Sequence, residues 1–228
     1  MSHSQSTSHP ALQVHFENMD QQRETATLGM WVFLITEVMF FGGLFLAYLV
    51  YRLQYFPAFA AGSQSLDIKL GAVNTAVLIC SSLTMALAVN AAQVGQRKKM
   101  VTFLLLTLAL GGVFLGIKAV EYHEKYVHHH IPGPAFHFED VHGGSSSAAL
   151  NPQNVQLFFS FYFAMTGMHA LHMVIGVGLL TWLVIAGWRG RFTPEYHSPV
   201  ENVGLYWHFV DIIWIYLFPL LYLISRHH

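Results

Sequence analysis

Charge is what this sequence has least of. Of its 228 residues, 10% are Asp, Glu, Lys or Arg, against about 25% in an average soluble domain. The net charge is −1, with no basic block to hold a polyanion, so nothing points to nucleic acid as a partner. Cysteine occurs once, as Cys80 inside an apolar run. A single thiol cannot close an intrachain disulfide and excludes the cysteine-pair motifs for metal or haem attachment; it reads as a small buried side chain. A leader-like apolar core is also missing from residues 1–26. These are rich in Ser, His, Gln and Thr and are expected to form a polar tail.

What the chain has in abundance is apolar surface: 54% of its residues are hydrophobic, with 18 Phe and 10 Tyr. A spanning helix needs about 20 apolar residues. Runs of that kind cover residues 27–51, 70–93, 100–122, 155–187 and 203–225. The expectation is an all-α, polytopic membrane bundle of five transmembrane helices, forming one domain over residues 27–225. A His-rich loop lies at residues 123–153 and a short tail at 226–228. The other connections are short, so consecutive helices are expected to be antiparallel neighbours. Arg97, Lys98 and Lys99, with Arg189 and Arg191, fall on the side of the N-terminus. By the excess of Lys and Arg in cytoplasmic loops, that side is expected to be cytoplasmic.

Against this background the intramembrane polar groups stand out. Glu37 lies near the middle of the first run, where an ionisable group costs roughly 2.5–3.5 kcal/mol on insertion scales unless it faces the protein and finds a partner. His169 and His172 sit three apart in the fourth run, and His208 and Asp211 three apart in the fifth; each spacing brings its pair close on one helix face. Asn74, Thr75, Ser81, Ser82 and Thr84 add a polar stripe to the second. The first and fifth spans run in the same direction, so a contact from Glu37 to His208 or Asp211 is expected. Three readings stand side by side: a hydrogen-bonded core that fixes helix register, a proton or ion path, and haem or metal ligation by His169, His172 or His208. Gly112 and Gly116 form a small-xxx-small pair, and Gly176 and Gly178 lie in the fourth run. All are read as helix-packing positions. His123, His128, His129, His130, His137 and His142 lack an ordered metal-ligand spacing and read as an exposed, weakly metal-binding loop.

The segments LGMWVFLITEVMFFGGLFLAY, LGAVNTAVLICSSLTMALA, GGVFLGIKAVEYHE, FFSFYFAMTGMHALHMVIGVGLL and YWHFVDIIWIYLFPLLYL resemble, in that order, cytochrome c oxidase subunit III. The two N-terminal helices of the seven-helix form have no counterpart here, and the loop after YHE is longer and richer in His. The resemblance implies an accessory subunit of a haem–copper terminal oxidase in a bacterial plasma membrane. Such a subunit packs beside catalytic subunit I, with copper-bearing subunit II in the same complex. It supports proton uptake and the stability of the catalytic subunit while O2 is reduced to water. It implies that this chain is itself non-catalytic and binds no haem or copper, which reside in the partner subunits. Structural phospholipid and an indirect relation to cytochrome c are implied as well. Glu37 matches the family's intramembrane carboxylate, and His208 and Asp211 match its WHFVD segment. A quinol oxidase or a nitric-oxide-reductase-associated homologue uses a similar third subunit and remains open on sequence. A haem-b membrane cytochrome and a proton-coupled transporter are readings from other classes.

Overall fold

Each apolar run becomes a helix because a chain in lipid must satisfy its backbone polar groups within the segment. The computed structural model describes residue 13, residues 15–127 and residues 151–224. Among them are six helices: α1 (Met19–Gln54), α2 (Phe56–Gln64), α3 (Ile68–Gln93), α4 (Arg97–Val127), α5 (Pro152–Trp188) and α6 (Ser198–Tyr222). Five are long and apolar enough to cross a membrane. No strand occurs among the described residues; Thr193 and Tyr196 form a single isolated bridge. The helices outrun the apolar runs at several ends. The polar tail is already helical from Met19, and α4 continues into the expected loop as far as Val127. Of the loop histidines, His128, His129, His130, His137 and His142 lie outside the described residues, as do residues 225–228.

Local chemistry sets the ends. Side chains of Asn18, Asp67 and Asn151 accept hydrogen bonds from the first free amides of α1, α3 and α5, the usual task of an N-cap. α3 and α5 both close with a glycine at positive φ, Gly95 at 75° and Gly190 at 76°. The amides of Gln96 and Arg191 bond back to Ala91 and Ala186 carbonyls, which is the Schellman closure that favours glycine.

The antiparallel helices pack around α6, the most buried span; α1 is the least buried. α1 lies against α5 and α6, while its backbone stays away from α3 and α4. The short α2, which hydropathy did not foresee, fills the end of the bundle beneath α5. Gly62 meets the Phe158 ring there, with no room for a Cβ. Cys80 is exposed on α3, a correction to the buried reading. It falls on the outer side of an apolar helix, where lipid accepts a thiol as readily as a protein core does.

The glycines divide in a way the motif did not predict. Gly111 and Gly176 hold the Trp207 indole between α4 and α5; a Cβ on them would lie 2.7 Å and 2.9 Å from its ring. Gly112, Gly116 and Gly178 have nothing within 4 Å. Among the described residues nothing packs against Gly112 or Gly116, where packing was expected: one residue of helical rotation turns Gly111 inward and Gly112 outward.

Candidate functional site: an intramembrane acid–base pair and its polar surround

Glu37 meets His172. Its Oε2 lies 3.2 Å from the imidazole Nε2, and the side chains are 20% and 10% exposed. The ring is held from several sides. Nδ1 lies 2.8 Å from the Met168 carbonyl, Phe41 packs edge-on at 5.3 Å, and Tyr206 stacks at 6.4 Å. The Tyr206 hydroxyl donates to the His172 carbonyl at 2.9 Å.

This geometry limits the hydrogen bonds the pair can form. A carbonyl oxygen only accepts, so Nδ1 is the donor to Met168. Nε2 and the carboxyl oxygen then need one proton between them. Either Glu37 is protonated and donates to neutral imidazole, or His172 is a cation facing a carboxylate. Both forms are neutral overall, as a low-dielectric site demands. Removing that proton would leave two acceptors facing each other. The pair can therefore pass one proton between its members without changing its net charge.

The expected contact from Glu37 to His208 or Asp211 is not formed. On α6 it is Phe209 that faces α1, 6.2 Å from Phe41, while His208 turns toward α3 and shares a 2.7 Å hydrogen bond with Ser82 through Nδ1. Asp211, one turn further, is 2% exposed, and neither carboxyl oxygen has a hydrogen-bond partner among the described residues. Ser82, which bonds His208 through its oxygen, also stands beside it. His169 and His172 diverge as well. A step of three leaves about 60° between them, enough for different neighbours. His169 is enclosed by Phe114 at 5.4 Å and Trp214 at 5.2 Å, with both ring nitrogens unpartnered. Among the described residues, no group of three or more His, Cys, Asp or Glu side chains is arranged to hold a metal ion.

The polar stripe on α3 binds its neighbours. Ser81 and Thr75 accept from the indole N–H groups of Trp207 and Trp214, each at 3.0 Å. Thr84 pairs with Thr107 of α4 at 2.8 Å. These bonds fix the register of α3, α4 and α6.

A second polar centre was not anticipated. Lys118 and Glu121 on α4 form a 2.8 Å ion pair with side chains 5% and 4% exposed. The Lys118 ammonium also donates to the Tyr222 hydroxyl at 2.8 Å and lies 4.4 Å above the Trp214 ring. Glu121 accepts from the hydroxyls of Tyr162, at 2.8 Å, and Tyr222. Three helices are thus tied at one carboxylate. The signal was present in IKAVEYHE: a Lys and a Glu at a spacing of three in an apolar helix.

A model of the family described as cytochrome c oxidase subunit III matches residues 16–139 and 149–226. The chain belongs to that family. Among subunit III relatives, cytochrome c oxidase subunit 3 of Thermostichus vulcanus is 32% identical over 203 residues, 87% of this chain and 87% of that protein. The probable cytochrome c oxidase subunit 3 of Nocardia farcinica is 32% identical over 198 residues, again 87% of each chain. The Gallus gallus subunit 3 is 32% identical over 202 residues, 85% of this chain and 67% of the bird protein. Membership makes this multi-span chain one component of an oxidase complex, alongside other oxidase subunits.

Proposed function

We propose that this chain is the non-catalytic subunit III of a haem–copper terminal oxidase, sustaining proton uptake while partner subunits reduce O2 to water. Family membership supports the role. The observation that carries the proton reading is the 3.2 Å Glu37–His172 contact, an acid–base pair between two spanning helices. The partners are catalytic subunit I and copper-bearing subunit II, which carry the haem and copper, and cytochrome c is the electron donor to the complex. The complex lies in a bacterial plasma membrane with the N-terminus of this chain in the cytoplasm. Its outer apolar faces on α1 and α4 hold partner helices and structural phospholipid. Glu37 and His172 form the working pair. His208 and Asp211 on α6 form a separate polar group beside Ser82 of α3, and His169 lies in the aromatic core.

The test is purification through a tag on this chain, followed by a reduced-minus-oxidised spectrum before and after partner subunits are stripped away. Haem bands that arrive with the partners and leave with them support the proposal. Haem that stays on the isolated chain overturns it.

A further inference from the structure

The N-terminal end of the bundle is open between α1 and α3. A cavity of about 400 Å³ enters there, with α6 as its floor; its mouth carries Arg23 and Glu201, and His208 lies among its walls with Ala86, Val89 and Leu205. Glu201 gathers polar partners at the mouth: Arg23 at 3.5 Å, Gln93 at 2.7 Å and His197 at 3.2 Å. From Glu201 to His208 the helix rises about 10 Å at 1.5 Å per residue. His208 touches Ser82, and beyond them stands the unpartnered, buried carboxyl of Asp211. A carboxyl group buried without a partner costs several kcal/mol if charged. It is expected to be neutral or to be reached by water.

We propose that this vestibule is a hydrated proton entry to Asp211, with His208 and Ser82 as the relay. A hydronium in the vestibule gives its proton to Nε2 of His208. The Nδ1 proton passes to the Ser82 oxygen as Ser82 releases its own to the Asp211 carboxylate. Water, a neutral imidazole bearing its proton on Nε2, an intact serine and a protonated Asp211 remain. Of the ionisable groups deep in the surrounding helices, Glu37 on α1 pairs with His172 on α5, Lys118 pairs with Glu121 on α4, and His169 on α5 is enclosed by aromatic rings. Among the described residues none of them forms an ion pair with Asp211. Asp211 is thus a one-proton store opening toward the N-terminal side. Its use by the complex rests on the oxidase reading above; its exchange with the medium does not.

Infrared spectroscopy of the full chain, purified with whatever partners accompany it and held in lipid nanodiscs, tests this by transfer from H2O to D2O. A protonated-carboxyl band is expected that disappears in Asp211→Asn and moves in Asp211→Glu, which keeps the test alive if the asparagine variant fails to accumulate. The band is expected to shift within the mixing time in the parent and at least tenfold more slowly in Ala86→Phe or Leu205→Trp, which fill the vestibule. The proposal is overturned if no band responds to the change at Asp211, or if exchange is equally fast with the vestibule filled. Absence of haem from the same preparation would refute the oxidase reading alone.

Discussion

Replacing Glu121 with leucine strands the Lys118 ammonium in a site where its side chain is 5% exposed. Removing one member of a buried ion pair typically costs about 3–5 kcal/mol, whereas removing both charges is often neutral. By comparison, an interhelical hydrogen bond in a membrane protein averages about 0.6 kcal/mol, with a maximum near 1.7. Tyr162→Phe deletes one such bond to Glu121. At about 2–4 °C per kcal/mol for a chain of this size, Glu121→Leu should lower the unfolding midpoint by about 6–20 °C and Tyr162→Phe by about 1–7 °C. The double variant Lys118→Met/Glu121→Leu should recover most of the loss. The assay is thermal unfolding of the purified complex in one fixed lipid and detergent mixture, read by the soluble fraction of the tagged chain. The reasoning is refuted if Glu121→Leu shifts the midpoint no further than Tyr162→Phe. It is also refuted if the double variant loses as much as the two single variants added together, since a stranded charge must couple them.

Glu37→Gln replaces the carboxyl with an amide that can still donate to Nε2 of His172. Assembly should therefore survive while sustained turnover declines; identical long-term turnover in variant and parent would remove the carboxyl from function. Gly111→Ala drives a Cβ to 2.7 Å from the Trp207 ring, and overpacking of this kind costs typically about 1–3 kcal/mol. Gly112→Ala enters open space and should leave the chain's own stability unchanged. Thermal unfolding of the two variants side by side would contradict the packing if they behave alike. Arg23→Ala removes a 3.5 Å pair to Glu201 whose arginine is 51% exposed; the expected loss is within about 1 kcal/mol, and a larger shift in the same unfolding assay would show the contact to be undervalued.

Much of this protein follows from composition and order along the chain. Five apolar runs become five spanning helices because lipid leaves the backbone no other partner. Asp67 and Asn151 capped their helices as short polar side chains do. The polar residues inside the runs were also legible, since any ionisable group at that depth must be explained. Partner choice was not legible. Glu37 found His172 because α1 leans on α5 and α6, and the facing residue of α6 is Phe209. Whether His208 or Phe209 faces α1 is a matter of about 100° of helix rotation, which hydropathy does not encode when both sides of α6 are buried. The same rotation separated Gly111 from Gly112. Lys118 and Glu121 were visible as a pair in sequence; only the convergence of α4, α5 and α6 gave their carboxylate two tyrosine donors. Span number and the presence of polar groups inside the spans thus belong to the sequence, where local chemistry and the solvent decide. Which of those groups meet, and which buried carboxyl is left without a partner, was decided by tertiary packing, because it depends on the relative rotation of helices far apart in the chain.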